Sequence, residues 1–191
     1  QLPDVVVVSD VTWFNFALNK QLAAVDDIAK AIELDTDDYV DALYNDYKFN
    51  GKHYALPWAR STPLFYYNKE MWTKAGLPDR GPKDWAEFKE WAPKIVAAAG
   101  DGKYAIVLPD GANYLDWVYQ NVVWSNGGAF SKEWTPTASD PKTVEAGKLL
   151  QELVAMKAVK FSKDSATDFS AGIAACGLMS TGSLGGVTKN S

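Results

Sequence analysis

The densest group of chemically useful side chains lies in residues 58–63, between two runs of strand-forming residues. The segment carries the indole of Trp58, the guanidinium of Arg60 and the hydroxyls of Ser61 and Thr62. Hydroxyls and a guanidinium can bind the oxygens of an anion or a polyol, and an indole can pack on its apolar face. Arg60 is open to a second interpretation, since it can equally pair with a carboxylate of the protein. The segment is therefore a candidate ligand-binding site.

A second polar group follows the last predicted strand, in residues 180–186. It contains Ser180, Thr181, Gly182 and Ser183 and lacks the Gly-Lys-Ser/Thr ending of a nucleotide-binding P-loop. Ligands of α/β proteins usually bind at the carboxyl ends of strands. Hydroxyls and backbone amides there can hold an anion where a helix begins. The alternative is a flexible turn that binds nothing.

Further candidates are an aspartate and several aromatic residues. Asp10, with Trp13 and Phe14, follows the first predicted strand, again at a carboxyl end. Trp117 and Trp124 are seven residues apart and so lie on one face of a predicted helix. We expect one of them to pack in the core and Trp124, which precedes a Ser-Asn-Gly-Gly turn, to face a cleft.

Catalytic and metal-binding patterns are scarce in the sequence. His53 is the only histidine, so there is neither an HExxH motif nor a histidine-rich metal site, and no Gly-x-Ser-x-Gly motif is present. A histidine beside a hairpin turn is more often a surface residue than a catalytic base. Cys176, the only cysteine, stands among small apolar residues, where we expect it to be buried and unreactive. We therefore expect a protein that is not an enzyme and uses no cofactor or metal.

The composition is that of an ordinary globular chain. Its 191 residues are 47% hydrophobic, and its apolar runs, such as the four valines at 5–8, are far shorter than the ~20 residues of a membrane span. A net charge of −5 with only two arginines argues against binding to nucleic acid through a basic surface. Eight tryptophans and nine tyrosines exceed what the core needs, and stacking sites are one use for the surplus.

Strand and helix patterns alternate along the chain, which predicts an α/β fold. The valines at 5–8 are typical of a strand buried on both faces. Asn50 and Gly51 predict a hairpin turn, and Asn68 and Asp84 are of the types that begin helices. The other predicted elements are a helical region over 14–31, strands over 64–67, 104–108 and 173–179, and helices over 85–99, over 115–123 and from 141 onwards.

We expect the chain to be an internal piece of a longer protein. It begins without a methionine or a signal-peptide pattern, and it ends in a Gly/Ser/Thr-rich stretch over residues 180–191. The turn at 109–111 is the predicted boundary within it. This boundary assigns residues 1–109 to part of an N-terminal lobe and 110–191 to part of a C-terminal lobe.

Several segments together resemble one family, the family 1 extracytoplasmic solute-binding proteins of ABC importers. The resemblance rests on five segments that occur in the family's order: PDV at 3–5, LP at 56–57 with STPLFYYNK at 61–69, AGLP at 75–78, PKDWAEF at 82–88 and FSAGIAA at 169–175. Within the family, STP at 61–63 and MSTGSL at 179–184 are similar to the glycerol-3-phosphate and glycerophosphodiester binders.

The resemblance implies a two-lobed α/β fold, that of the type II periplasmic binding proteins, here incomplete at both ends. It also implies roles for particular residues. Asp10 would hold ligand hydroxyls or a cationic head group, Ser61 would donate to the ligand, and Trp124 would pack on its glycerol or sugar face. Gly182 and Ser183 would donate to a phosphate. The implied ligand-binding set is Asp10, Ser61, Thr62, Trp124, Gly182 and Ser183.

By the same resemblance, the protein would be the substrate-binding subunit of an ABC importer. It would capture glycerol-3-phosphate or a glycerophosphodiester in a cleft between its lobes and deliver it to a membrane permease. It would act as a monomer outside the cytoplasm of a bacterium, in the periplasm or as a cell-surface lipoprotein. Two alternatives stay open: an oligosaccharide as the ligand, and a glycoside hydrolase, which needs two paired carboxylates that no motif here provides.

Overall fold

The computed structural model describes residues 3–189, and the chain divides into two compact units, residues 1–60 and 61–191. In the first unit, the described elements are α1 (Trp13–Leu18), α2 (Asp26–Ala31), α3 (Asp41–Asn45), β1 (Lys48–Phe49) and β2 (Lys52–His53). In the second they are β3 (Pro63–Tyr67), α4 (Lys69–Lys74), α5 (Trp85–Ala99), β4 (Tyr104–Pro109), α6 (Ala112–Ser125), β5 (Ser131–Lys132), β6 (Thr135–Pro136), α7 (Pro141–Ala155), β7 (Val159–Ser162), α8 (Ser165–Ser170), β8 (Ala174–Ser180), a 3₁₀ turn (Thr181–Ser183) and α9 (Leu184–Lys189).

The prediction of a buried strand at residues 5–8 is wrong. The segment forms no ladder with any described strand, and Val5 and Val7 are 88% and 80% exposed. A run of valines becomes a buried strand only where neighbouring strands pair with its backbone. In the described part of the first unit, β1 and β2 pair only with each other. The helical pattern over 14–31 is likewise broken into α1 and α2.

His53 is not the surface residue that its position suggested. It is 8% exposed, and its ring stacks on Tyr44 with the ring centroids 3.9 Å apart. Its Nδ1 lies 2.8 Å from Oδ1 of Asp26, and its backbone N–H donates to Oδ2 of the same carboxylate at 2.8 Å. Burial opposes ionisation of Asp26, but the hydrogen bonds with His53 outweigh it and lower the pKa of Asp26. One carboxylate thus fastens the hairpin to α2.

The hairpin turn predicted at Asn50 and Gly51 is confirmed. Both residues have positive φ, 49° and 77°, as a two-residue turn between antiparallel strands requires. Trp13 is buried beside the hairpin, and its ring centroid lies 5.7 Å from that of Tyr47 and 6.5 Å from that of Tyr54. The packing of these aromatic rings and the hydrogen bonds between Asp26 and His53 hold this part of the first unit together.

The second unit is built on a four-stranded sheet in the order β3-β8-β4-β7. β8 pairs antiparallel with β3 and parallel with β4, and β4 pairs parallel with β7. Because β4 and β8 are buried on both faces, apolar and small residues follow one another in them without polar alternation. Helices alternate with these strands, which confirms the α/β class.

Helices cover both faces of the sheet. Ile106 and Leu108 of β4 belong to a buried cluster with residues of α5, α6 and α7, whereas Val107 belongs to a second cluster with residues of α8 and α9. Cys176 of β8 is fully buried, and its thiol donates to the carbonyl of Ala105 at 3.1 Å. This burial confirms the expectation of a buried cysteine, and it raises the pKa of the Cys176 thiol.

The predicted helix beginnings at Asn68 and Asp84 are confirmed. Their side chains accept hydrogen bonds from the N–H groups of Met71 and Glu87, at 2.9 and 2.8 Å. The sequence analysis missed the hairpin β5–β6, the strand β7 and the helix α8. These elements contain two to six residues each, too few for a hydrophobic period to show.

The predicted boundary at residues 109–111 is not the division between the two units. β4 ends at Pro109 and pairs with β7 and β8, which both come later in the chain, so residues on either side of this turn share one sheet. The assignment of residues 1–109 and 110–191 to different lobes stays a prediction about the full-length protein.

The connection from α6 to α7 depends on a glycine. Gly128 lies against the beginning of α7, where the Thr143 hydroxyl accepts from the N–H of Ala129 at 3.1 Å and lies 2.8 Å from its carbonyl. A Cβ on Gly128 would lie 2.8 Å from the backbone N of Thr143 and 2.9 Å from its Cα. Backbone atoms of a helix cannot rotate away, so only glycine fits here.

Gly128→Ala is expected to lower the free energy of unfolding by about 1–3 kcal/mol, the usual cost of an overpacked site. Gly147→Ala, in α7, is the matched control, because a methyl group there meets no atom within 4 Å. The better helix propensity of alanine should make that variant more stable by about 0.5–1 kcal/mol. Urea unfolding of the full-length protein measures both changes, and equal stabilities of the two variants would contradict the packing argument.

Arg80 connects the loop before α5 to that helix. Its guanidinium donates to both carboxylate oxygens of Glu87 at 2.7 Å and lies 5.0 Å from the centre of the Trp91 ring. Glu87 also accepts from the backbone N–H of Lys83 at 2.6 Å. The hydrogen bonds from Arg80, with the one from Lys83, lower the pKa of Glu87 to about 2.

Glu87→Gln is expected to lower the melting temperature at about pH 7 and to matter less as the pH falls. Because the folded-state pKa of about 2 lies below the ordinary 4.5, the ionised carboxylate stabilises the protein above pH 4.5. That contribution is lost as the pH falls from 4.5 towards 2. Melting curves of both proteins between about pH 7 and pH 3 should show the gap narrowing.

Glu90→Gln is the control for this experiment, since Glu90 is exposed on α5 and takes part in none of the described ion pairs. Its difference from the wild type should stay small throughout. A gap for Glu87→Gln that stays constant with pH would show that the Glu87 carboxylate does not stabilise the fold through its charge.

Candidate functional site

The antiparallel pairing of β3 with β8 brings two of the predicted polar segments together. Pro63 pairs with Ser180, so the residues before β3 lie beside those after β8. The N–H of Thr181 donates to the carbonyl of Thr62 at 3.0 Å, and the N–H of Thr62 donates to the Thr181 hydroxyl at 3.3 Å. The Ser61 Oγ lies 4.0 Å from the position that a Cβ on Gly182 would take. We call residues 61–62 with 180–183 the hydroxyl corner.

Two hydroxyls of the hydroxyl corner have their donor side free. The Thr181 Oγ1 accepts from the N–H of Thr62, and the Ser180 Oγ accepts from the N–H of Gly182 at 3.0 Å. A hydroxyl has one hydrogen to donate and two lone pairs. In the described hydrogen bonds neither O–H is used as a donor, so both can donate to a ligand. The N–H of Gly182 is already bonded, so its donation to a phosphate stays a prediction that requires this bond to open.

Tyr66 is a residue of this region that sequence reasoning missed. Its hydroxyl donates to the carbonyl of Ser180 at 3.0 Å, and its ring packs against Phe169. The signal was present but weak, because a tyrosine in the pattern of β3 looks like any half-buried strand residue. Tyr66 holds the end of β8, from which the hydroxyl corner extends.

The carboxyl ends of β4 and β7 lie at the same edge of the sheet, because both strands run parallel to β8. The N–H of Asp110 donates to the carbonyl of Ser162, and Asp164 caps α8 by accepting from the N–H of Thr167 at 3.1 Å and from its hydroxyl at 2.7 Å. The hydrogen bonds from Thr167 lower the pKa of Asp164. Sequence analysis did not single out Ser162 and Asp164, because strand β7 was not predicted.

Asp10, in the first unit, forms an ion pair. Its Oδ2 lies 2.7 Å from Nη1 of Arg60, and the two side chains are 37% and 42% exposed. The alternative that Arg60 pairs with a protein carboxylate is therefore confirmed. The turn that holds Asp10 is closed by hydrogen bonds from the N–H groups of Thr12 and Trp13 to the carbonyl of Ser9.

The two tryptophans of α6 differ as expected. Trp117 packs against the core of the second unit, whereas Trp124, at the carboxyl end of the helix, is 55% exposed. Among residues 3–189, no hydrogen bond or ring contact links Trp124 to the hydroxyl corner. Its role as a wall for the ligand stays a prediction.

A cavity of about 570 Å³ opens elsewhere on the second unit, between the beginning of α5 and one face of β3 and β8. Phe65 and Leu178 line it from the sheet, and the Trp85 Nε1 donates to the Ser125 hydroxyl at 3.0 Å on its wall. None of the six predicted ligand-binding residues lines this cavity. The cavity is therefore distinct from the predicted ligand-binding residues.

The described residues, 3–189, contain no group of three or more histidine, cysteine, aspartate or glutamate side chains that could hold a metal ion. Over the same part of the chain, no helix has the length and apolar character that crossing a membrane requires. Two residues that sequence analysis considered for chemistry have structural partners: His53 pairs with Asp26, and the Cys176 thiol is buried.

Comparison with known proteins gives a consistent set of relatives. A family model described as bacterial extracellular solute-binding protein matches residues 1–190. The crystal structure of UgpB from Mycobacterium tuberculosis in complex with glycerophosphocholine is 45% identical in sequence, with a TM-score of 0.94. That match covers 100% of this chain and 50% of that chain.

Two further relatives differ in their ligands. The sn-glycerol-3-phosphate-binding periplasmic protein UgpB of Escherichia coli is 32% identical over 109 residues, which are 54% of this chain and 25% of that protein. The GacH receptor of Streptomyces glaucescens, solved unliganded and with acarbose, is 26% identical with a TM-score of 0.77 over 94% of this chain and 46% of that one. The chain thus spans half or less of the length of these relatives.

Proposed function

The chain belongs to the bacterial extracellular solute-binding protein family, and we propose that the full-length protein captures glycerol-3-phosphate or a glycerophosphodiester for an ABC importer. The fold expected from the resemblance, that of the type II periplasmic binding proteins, is confirmed by the match to UgpB over the whole chain. The similarity to the glycerophosphate-binding type within the family is confirmed by the same match.

One observation carries the choice of ligand. Identity is 45% over the whole chain with a protein solved in complex with glycerophosphocholine, but 26% with a receptor solved with acarbose. The hydroxyl corner supports the same choice on chemical grounds. Its two free O–H donors match the oxygens of a phosphate, which can only accept hydrogen bonds when ionised.

The proposed roles follow from the donors and acceptors of each side chain. Ser61, Thr62 and Ser183 donate to the phosphate oxygens at the hydroxyl corner, beside the free O–H groups of Ser180 and Thr181. Gly182 donates its N–H when its bond to the Ser180 Oγ opens. Hydrogen bonds to a charged group contribute about 1.5–3 kcal/mol each, more than those between neutral groups. Asp10 accepts hydrogen bonds from the glycerol hydroxyls.

Trp124 supplies a flat apolar surface for the glycerol or for a choline group, to which an indole ring is attracted by cation–π interaction. Its 55% exposure at the end of α6 leaves the ring accessible for such a contact.

Local hydrogen bonds carry this binding in the proposal. The 191 residues have a formal net charge of −5, so this part of the protein does not attract an anion through a basic surface. Hydrogen-bond donors act at short range, whereas longer-range fields are screened by salt over about 8–10 Å. A binder of this kind needs well-placed hydroxyls rather than a basic surface.

Binding without reaction is part of the proposal. The relatives are solute-binding proteins, and we infer that this protein likewise changes no covalent bond of its ligand. Its partners are then the solute and a membrane permease, it acts as a monomer outside the cytoplasm, and it is periplasmic or anchored to the cell surface as a lipoprotein.

A second candidate ligand is an oligosaccharide. The match to the GacH receptor with bound acarbose favours it, and an exposed tryptophan such as Trp124 can pack on a sugar ring as well as on glycerol. The fold and the mode of capture would be the same, so only the ligand distinguishes the two candidates.

Calorimetric titration of the full-length protein with glycerol-3-phosphate, glycerophosphocholine and maltose tests the proposal directly. We expect micromolar binding of one or both phosphate ligands and none of maltose, because identity is higher to the protein solved with glycerophosphocholine and an ionised phosphate is a stronger acceptor for free O–H groups than a neutral sugar oxygen. Binding of maltose alone would reject the glycerophosphate ligand and leave the oligosaccharide candidate.

The residue roles are tested by Asp10→Asn and Trp124→Ala, each measured with the ligand that binds. Each change is expected to weaken binding about tenfold or more, since each removes a direct ligand contact worth at least about 1.4 kcal/mol. Trp134→Ala is the matched control, because Trp134 is another exposed tryptophan, 82% exposed in the turn between β5 and β6, and no contact with the ligand is proposed for it. Unchanged affinity in both test variants would reject the proposed roles of Asp10 and Trp124.

A further inference from the structure

We propose that Arg60 is a positioning residue for ligand binding, acting through Asp10. It holds one oxygen of the Asp10 carboxylate so that the other faces the ligand, and it compensates the charge of that carboxylate so that an anionic solute can bind near it. This inference rests on the proposed binding role of Asp10. Arg60 itself makes no contact with the ligand in this proposal.

The geometry of the pair carries the first part of the argument. The Arg60 Nη1 lies 2.7 Å from the Asp10 Oδ2, the short distance of a charge-assisted hydrogen bond. Among the described hydrogen bonds, none engages the Asp10 Oδ1. Arg60 thus holds Oδ2 in place, and Oδ1 is the acceptor left for a ligand hydroxyl.

The position of the pair on the chain carries the second part. Asp10 lies in a turn outside the described strands. The N–H of Thr12 donates to the carbonyl of Ser9 across this turn, and the hydroxyls of Ser9 and Thr12 lie 2.9 Å apart. A side chain on such a turn keeps several rotamers unless a partner fixes it. Arg60, 50 residues further along the chain, is the partner that the described contacts give to Asp10.

A purely structural role does not account for the pair. Both side chains are partly exposed, 42% for Arg60 and 37% for Asp10, and ion pairs of this exposure contribute little to stability. The other arginine, Arg80, is bonded to both oxygens of Glu87 and stacks on Trp91, which is a structural arrangement. Arg60 has one described partner, and that partner is a proposed ligand residue.

Charge compensation gives the pair a consequence for ligand choice. An unpaired carboxylate repels a phosphate group that binds within a few ångströms of it. A carboxylate that is paired with a guanidinium repels it much less. The loss of Arg60 is therefore expected to cost more affinity for glycerol-3-phosphate, which is an anion, than for glycerophosphocholine, whose choline cation offsets the phosphate charge.

A double-mutant cycle on the full-length protein tests this inference, with Arg60→Gln, Asp10→Asn and the double variant titrated with glycerol-3-phosphate and glycerophosphocholine. Arg60→Gln alone should weaken binding of glycerol-3-phosphate about tenfold or more. In the Asp10→Asn background the same change should alter affinity less than threefold, because Arg60 acts through the carboxylate. Equal effects in both backgrounds would overturn the proposal, since Arg60 would then act on the ligand independently.

Two controls separate positioning from damage to the fold. Arg60→Lys keeps the positive charge and should recover part of the affinity lost in Arg60→Gln, while the melting temperatures of all variants stay close to that of the wild type. Lys69→Gln breaks another exposed ion pair, that of Lys69 with Asp79 at 2.9 Å, and should leave affinity unchanged. No recovery in Arg60→Lys would overturn the charge-compensation argument.

Failure of the proposed function is distinguishable from failure of this inference. If the wild type binds maltose and neither phosphate ligand, the glycerophosphate function is rejected, and the same cycle is measured with maltose. Positioning of Asp10 then still predicts that Arg60→Gln has little effect in the Asp10→Asn background, and equal effects overturn it. Binding of none of the three ligands overturns both proposals.

Discussion

The position of β8 between β3 and β4 is the constraint on which the second unit depends. Gly177 lets β4 approach, because a Cβ there would lie 2.9 Å from the Val107 Cγ1. On its other side β8 pairs with β3 from Pro63 to Tyr67, and this register alone brings Thr62 to Thr181. A slip of one residue would turn the half-buried Phe65 and Tyr67 away from the core that they pack against. The buried packing of the sheet therefore fixes the geometry of the hydroxyl corner.

The first unit is held in a different way. Its described part has no sheet beyond the hairpin of β1 and β2. Aromatic rings packed around Trp13 hold it together, with the Asp26 carboxylate, which accepts from both the backbone and the ring of His53. These contacts, with the hydrogen bond from the Trp13 N–H to the Ser9 carbonyl, hold the backbone of the turn at Asp10. The direction of the Asp10 side chain depends in addition on its ion pair with Arg60.

Sequence reasoning succeeded where a signal is local or long. The caps at Asn68 and Asp84, the turn at Asn50 and the long helices were predictable, because capping side chains and 3.6-residue periods act within one element. It failed where tertiary partners decide. Four valines at 5–8 form no strand without a neighbour, and His53 is buried with its ring stacked on Tyr44 and hydrogen-bonded to an aspartate 27 residues away. Pattern analysis brought Ser61 and Ser183 into consideration separately, but only the pairing of β3 with β8 places their segments side by side.

The described residues of the two units differ in their hydrogen-bond chemistry. At the hydroxyl corner, Thr181 and Ser180 each accept one backbone N–H, so each keeps its O–H group and one lone pair for a ligand. Asp10, in the first unit, is an acceptor only, because Arg60 holds one carboxylate oxygen and the other is left for a donor. An ionised phosphate is the strongest acceptor that such O–H groups can meet, since charge-assisted hydrogen bonds exceed neutral ones. A sugar hydroxyl can both donate and accept, so hydrogen-bond type alone does not exclude it. The higher sequence identity to a protein solved with glycerophosphocholine, 45% against 26% for the receptor solved with acarbose, therefore decides the proposed solute.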